Sequence, residues 1–475
     1  IDLEFTLRRV FGKSQFRPLQ REVIRAVLAG HDVFVQAATS FGKSLCFQLP
    51  AVLAFGITIV VSPLLALMNN QIAALRNAQI AVATINSNTP ARVKNAILDD
   101  LRSGHPRSRL LYVTPEYCQL DHFRRCLRVV HEQRELARIA VDEAHCISEW
   151  GHDFRPSFKE LCWFKKEFPD VPVLCCTATA TPGVRDDVVD TLCLDRTTLK
   201  TFVTTTSRPN LHFEVRFKCD EEDHYPDFLA WLRSVHARRS TDPVRSQELG
   251  QSRERPTNVS GIIYTLYRRD SVALAERLRS DGIGAKPYHA GLTPEQKDDH
   301  LDGWVTNKVG YDVIVATTAF GMGIDKENVR FVIHWQMPKS FEGFYQEAGR
   351  AGRDGKASLC ILYYSREDRD RASSMMTRET ERSSAKNRKA MTNRARSLQA
   401  LIAYCEGVHK CRHRSIAEYF GDDVAAQPPK CTFACDWCKD AGRLARRKEA
   451  GLASEEWCMT QRETGGYGCP YDDLF

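Results

Sequence analysis

The sequence predicts an α/β protein: two parallel-sheet units in series, then a small helical subdomain that binds a metal. Three observations predict this. From Phe16 to about Thr201, short apolar runs rich in β-branched residues alternate with helical stretches. A second alternation of the same kind opens at GIIYTLY, Gly261 to Tyr267. Beyond Tyr364 the composition turns to charged helix and then to a cluster of cysteines. Strands with no polar face belong to a sheet covered on both sides, the usual setting of parallel strands.

In the first unit DVFVQ, ITIVV, RLLYVT, RIAVD and VPVLCCT read as buried strands, with PLQREVIRAVLAG and LLALMNNQIAALRNA as helices between them. The run AVLAFGITIVVSPLLALM, Ala51 to Met68, is long and apolar, but Gly56 and Pro63 break it short of the roughly 20 residues a membrane span needs. It reads as a helix end, a buried strand over Ile57 to Val61 and a new helix, so no membrane partner is expected. In the second unit GIIYTLY, KPYHA, YDVIVAT, VRFVIHW and ASLCILYY are strands, and DSVALAERLRSDG is a helix. The polar, aperiodic stretch Ala237 to Ser260 reads as a flexible surface insertion, about 237–260. The expected domains are 1–206, 207–365 with that insertion, a zinc-binding subdomain over 366–440, and a polar tail over 441–475.

The chain's 475 residues suit about three domains. A 43% hydrophobic and 27% charged composition is that of a globular protein, and a net charge of +7 argues only weakly for an anionic partner. The cysteines number 17, are mostly scattered, and several sit in apolar runs, which indicates buried thiols in a reducing, intracellular compartment.

The strand–loop–helix DVFVQ-AATSFGKS-LCFQL ends in Gly42, Lys43 and Ser44. At a helix N-terminus, unpaired N–H groups and the positive dipole end favour phosphate oxygens. Gly42 permits close backbone approach, Lys43 reaches the outer phosphates, and Ser44 can ligate Mg²⁺. Ala37 stands where the usual pattern has its first glycine. Downstream, RIAVDEAH is an apolar strand ending in two carboxylates: Asp142 fits the Mg²⁺-anchoring acid, and Glu143 could position or deprotonate water. In the second unit FYQEAGRAGRDG offers Arg350 and Arg353, which could reach a γ-phosphate across a cleft. The spacing Cys411-x19-Cys431-x3-Cys435-x2-Cys438 matches a tetrahedral Zn²⁺ site, with Cys405 and His409 as weaker neighbours.

In chain order AATSFGKS, VVSPLLALMNNQ, LLYVTPE, VDEAH, TATAT, VIVATTAFGMGIDK and QEAGRAGRDG resemble the superfamily 2 helicase motifs. FGKSQFRPLQ, CISEWGHDFRPSF, SRPNLHFEV and CRHRSIAEYFG resemble, more narrowly, the RecQ DNA helicases, from about Val10 to Lys439. The resemblance implies two RecA-like domains and an ATP-dependent helicase that moves 3′→5′ on single-stranded DNA and unwinds duplexes. It further implies ATP, Mg²⁺ and Zn²⁺ as cofactors, and repair, recombination or replication as the setting. A nuclear location follows if the source is eukaryotic, and a cytoplasmic one otherwise.

Residue by residue, the resemblance assigns Arg17 and Gln20 to the adenine, with Lys13 where many relatives place an aromatic. Thr39, Ser40, Gly42, Lys43 and Ser44 go to the phosphates, Ser40 replacing the family's usual glycine. TATAT resembles the segment that couples hydrolysis to domain movement; Asp325 would approach the ribose or the arginines, and Gln346 opens the finger motif. Trp150, Phe154 and Phe158 would stack on bases and Arg155 would contact phosphate or ring faces. Strand contacts are expected near Pro63, Thr114, Pro115, His289 and Thr317. No winged-helix pattern follows Ala441, so duplex grip is expected from the basic stretch Arg378 to Arg396. A monomer is expected, with protein partners unspecified. The rival readings are an RNA helicase, a translocase, and a scaffold whose ATPase is vestigial because of Ser40.

Overall fold

The structure is a computed structural model that describes residues 2–148, 155–218, 223–240, 259–318, 320–321, 324, 326–382, 388–423, 430–431 and 435–452. The first sheet contains β1 (Val33–Gln36), β2 (Ile57–Val61), β3 (Val82–Ile85), β4 (Leu110–Val113), β5 (Leu136–Asp142), β6 (Val173–Thr177) and β7 (Lys200–Val203), in the order β3-β4-β2-β5-β6-β1-β7. All of its pairings are parallel. The second contains β8 (Leu211–Phe217), β9 (Gly261–Tyr264), β10 (Ala285–Tyr288), β11 (Val313–Ala316), β12 (Phe331–His334) and β13 (Ser358–Tyr364), in the order β10-β11-β9-β12-β13-β8. It too is parallel throughout. The fold class is therefore two tandem RecA-like domains followed by a helical region.

Each sheet is buried on both faces because its strands are apolar at consecutive positions. In the first, Phe34, Ile59 and Val141 join one core while Val33, Val35 and Ala140 join the other. In the second, Ile262 and Val332 face one side and Ile263 and Ile333 the other. Three strands escaped the sequence reading. β3 and β7 are short edge strands with incomplete burial, and β8 alternates because only one face is apolar.

Two segments differ from expectation. The helix Tyr225–Ser240 runs through the start of the proposed insertion, and Val259 and Ser260, at its end, are buried. The helix Asp436–Gly451 crosses into the proposed polar tail, because Leu444 buries against the body while Arg447 pairs with Glu214 on β8 at 3.1 Å. The basic stretch Arg378 to Arg396 falls on two helices, Arg366–Arg382 and Arg388–Glu406.

Candidate active site and zinc centre

The first domain's site assembles at the carboxyl ends of three adjacent strands, β5-β6-β1. The loop after β1 turns through a 3-10 helix, Thr39–Phe41, into the helix Leu45–Leu53. Gly42 sits at φ +80°, and a Cβ there would meet Gln20 Nε2 at 2.9 Å. Gln20 braces this loop from outside. Its Nε2 donates to Phe41 O at 2.7 Å and Gly42 O at 3.3 Å, while its Oε1 accepts from Arg17 N at 2.8 Å. The amide assigned to base reading thus bonds the loop through Nε2 and the Arg17 backbone through Oε1, and Arg17 is the exposed member of the pair.

Lys43 is buried, and its Nζ donates to Ala37 O at 2.9 Å. Burial lowers its pKa, Glu143 and Asp142 oppose that, and Arg353 adds to it. Asp142, at the end of β5, is buried too. Gln71 Nε2 donates to its Oδ2 at 3.0 Å, and Tyr112 OH in turn donates to Gln71 Oε1 at 2.9 Å. Burial, then the Glu143 charge, pushes the Asp142 carboxyl up to about 6. Glu143 adopts φ 51°, a left-handed conformation that a non-glycine residue pays roughly 1–3 kcal/mol to hold. His145 Nδ1 lies 3.3 Å from Glu143 Oε2 and 3.0 Å from Thr177 Oγ1. A buried imidazole thereby joins the DEAH segment to TATAT. Its signal was the H of DEAH, which the sequence reading left unused.

The helix Phe341–Ala348, N-capped by Ser340, leads from β12 to the arginines. Three carbonyls pin the segment that follows: Arg208 donates to Gly349 O at 3.3 Å, Ala351 O at 3.0 Å and Gly352 O at 2.9 Å. Thr39 Oγ1, in the phosphate loop, donates to Gly349 O at 3.0 Å, so the two domains meet here. Gln346 is buried on the helix. The arginines divide: Arg350 is buried beside Tyr264, whereas Arg353 is close enough to depress Lys43. Arg208 had no sequence signal beyond its place in SRPNL.

The expected strand-contact residues cluster by edge. Pro63 follows β2, Thr114 and Pro115 follow β4, His289 follows β10 and Thr317 follows β11, all at carboxyl ends. Pro63 O accepts from Arg155 NH1 at 2.8 Å, and Thr114 caps the turn Pro115–Cys118. Both His289 ring nitrogens are buried without a hydrogen-bond partner among the described residues. Phe158 corrects the expectation of a stacking surface: at 0% exposure it belongs to the first domain's core, because the helical turn Pro156–Lys159 turns it into the cluster that holds Ile147 and Leu161. Trp150, Phe154 and Asp325 lie outside the described residues, as does any account of the Ser40 side chain.

Cys411, Cys431, Cys435 and Cys438 bring their sulfurs within 4.8 Å of one another. Cys411 and Cys435 are 3.9 Å apart, near the roughly 3.8 Å edge of a tetrahedron with about 2.3 Å Zn–S bonds, so the donor set fits zinc. Cys405 is buried elsewhere, in the second domain's core, and is not among the four. Beneath the cluster a buried ion pair fixes the ligand-bearing helices: Arg412 Nε donates to Asp436 Oδ1 at 2.9 Å. Asp436 Oδ2 also accepts from Val215 N at 3.0 Å, tying the centre to β8.

Two parallel-sheet domains with a phosphate loop, a DEAH strand end and a facing arginine segment define the core of a nucleotide-driven helicase. Family models agree: DEAD/DEAH box helicase matches residues 17–187 and the helicase conserved C-terminal domain matches 246–355. The RecQ zinc-binding model matches 366–439, and with it the chain belongs to the RecQ family.

ATP-dependent DNA helicase Q5 of Mus musculus is 42% identical over 96% of this chain and 45% of its own length. The putative ATP-dependent DNA helicase Q1 of Caenorhabditis elegans is 40% identical over 91% of this chain and 63% of its own. The RecQ-like DNA helicase BLM of Xenopus laevis is 36% identical over 92% and 29%. The chain thus spans about half the length of such relatives. Among solved structures, the helicase MrfA bound to DNA shares the fold, with a TM-score of 0.58 at 16% identity over 76% of this chain and 51% of that one. No described helix is long and apolar enough to cross a membrane.

Proposed function

We propose that this chain is an ATP-hydrolysing DNA helicase motor that moves 3′→5′ along single-stranded DNA and unwinds duplexes ahead of it. The observation that carries this reading is the contact between the domains at the site: Thr39 of the phosphate loop donates to Gly349 O at 3.0 Å, on the segment that bears Arg353. ATP supplies the phosphoanhydride whose cleavage drives the domains. Lys43 would hold the outer phosphates, Ser44 and Asp142 would hold Mg²⁺, and Glu143 would position or deprotonate the attacking water. Arg353 steadies charge from across the cleft, while Arg350 and Gln346 shape the segment that carries it. Gln20 braces the loop and Arg17 flanks the adenine.

DNA crosses the carboxyl edges near Pro63, Thr114, Pro115, His289 and Thr317, with Arg155, Trp150 and Phe154 sensing it. RecQ relatives support DNA over RNA as the track, and a nuclear place in repair, recombination or replication where the source is eukaryotic. Unwinding of 3′-tailed against 5′-tailed duplexes, with ATP turnover followed alongside, tests the reading. Preference for 5′ tails, or turnover indifferent to single-stranded DNA, rejects it.

A further inference from the structure

The chain passes from the first sheet to the second between Val203 and Leu211, and cleft closure must bend this linker. Its start is tied to the nucleotide strand, because Thr204 N donates to Gln36 O at 2.8 Å. Its middle is gripped from two sides. On one, Tyr345 OH, from the helix that leads to the arginines, donates to Thr206 O at 2.8 Å. On the other, a single carboxylate oxygen of the zinc module, Asp422 Oδ2, accepts three hydrogen bonds. They come from Thr206 N at 2.7 Å, Thr206 Oγ1 at 2.9 Å and Thr205 Oγ1 at 3.0 Å.

The placement of Asp422 is built rather than incidental. The helix Arg412–Phe420 starts at the zinc ligand Cys411 and stops at Gly421, whose φ of +74° turns the chain toward the linker. A Cβ on Gly421 would lie 2.6 Å from Pro182 Cγ, at the start of the helix that follows TATAT. Phe420 packs on the Tyr345 ring at 4.8 Å, so the two grips on Thr206 lean on each other. One short segment therefore touches the linker, the arginine helix and the TATAT helix.

We infer that Asp422 is a positioning residue for the motor. It holds the interdomain linker in the conformation from which the cleft closes, and so couples the zinc module to DNA-stimulated hydrolysis. This rests on the motor reading above. The carboxylate's bonds go to Thr205 and Thr206 and not to the Lys43 cluster, so its loss should act on coupling and leave nucleotide binding in place.

The test compares Asp422→Ala and Asp422→Asn in the full chain, using oligo-dT as the stimulating strand. For Asp422→Ala, stimulated kcat should fall about 10-fold, with KM for ATP and basal turnover within about 2-fold and zinc content unchanged. Asp422→Asn keeps one carbonyl oxygen in place and should restore stimulated kcat to within about 3-fold. Thr206 amide exchange reads the clamp without reference to DNA and should quicken about 10-fold in Asp422→Ala. If Asp422→Ala does not fold, the double variant Thr205→Ala, Thr206→Val removes two of the three donors and should show the same selective loss.

Unchanged Thr206 exchange, or unchanged stimulated turnover in the alanine variant, overturns the inference. So does a parallel fall of basal rate, stimulated rate and zinc content, which marks a purely structural residue. Absence of stimulation in the unmodified chain rejects the motor reading instead, and the exchange measurement then decides on the clamp alone.

Discussion

At the carboxyl ends of β1, β5 and β6 the first domain gathers a lysine, two carboxylates and a histidine into one cluster, buried except at Glu143. The carboxyl ends of β9 and β12 carry a different group, His334 stacked on Tyr264 and 2.8 Å from Glu347. The second domain instead sends two arginines from the segment after a helix, held by Arg208 through three carbonyls. Both sheets are parallel and doubly covered, so architecture does not explain the difference. What differs is who must stay still. The first domain fixes its charges by burial, whereas the second presents its arginines on a braced loop that bonds the phosphate loop through Thr39.

Six variants break or sharpen that contrast. Arg353→Ala should cost most, about 10³-fold or more in stimulated kcat, as removal of an arginine finger does. Arg350→Ala, beside Tyr264, should instead destabilise the second domain, and a comparison of single-turnover rates with melting curves separates the two. Glu143→Gln should lower turnover by roughly 10²–10⁴-fold while ATP still binds, because the phosphate grip remains. Equilibrium binding of a fluorescent nucleotide checks this.

Phe158→Ala should destabilise the first domain by about 3–5 kcal/mol, the cost of emptying a buried aromatic site. Arg155→Ala should cost less in stability, about 1–3 kcal/mol for its bond to Pro63 O, and should weaken DNA affinity more. Denaturant unfolding and DNA titration together distinguish core from contact. Asp142→Asn has the smallest expected effect on fold and the opposite sign. It removes a buried charge beside Glu143, so melting temperature should rise by a few degrees in metal-free buffer while turnover is lost.

Zinc offers a separate lever. Elemental analysis should find about one Zn²⁺ per chain, and Cys435→Ser should remove it and loosen the helices after Arg366, because structural zinc contributes folding free energy directly. A zinc-free protein with the same melting curve and DNA affinity would rule the centre out as structural.

What the sequence made legible was local. The phosphate loop, DEAH and the cysteine spacing each lie within a few residues, and their chemistry follows from residue type and order. Apolar runs gave the central strands for the same reason. What it hid was set by distant partners. Arg208 acquires its role only when Gly349 to Gly352 arrive from the far end of the domain, and Asp422 only when the linker does. Gln20 reads as an adenine ligand, and its bonds to Phe41 O and Gly42 O through Nε2 come into view only when the loop folds back on it. Phe158 sits among polar and turn residues in sequence, and only the packed core shows that it faces inward. The edge strand β8 was missed because half of its side chains are not apolar; its outer side is finished by another module.

β8 is the terminal strand of its sheet, with its outer backbone groups facing away from β13. Asp436 occupies one of them, Val215 N, and the helix Asp436–Gly451 lies along the strand, with a Cβ at Gly451 reaching within 2.7 Å of Phe217 Cβ. An uncovered edge of this kind is a template for pairing with another chain. The zinc module is thus also the guard of a sheet edge. A chain ended at Tyr364 would bare this seam and also strip Leu398, Leu401, Tyr404, Ile416 and Phe420 from the second domain's core, so self-association and a weakened second domain should arrive together.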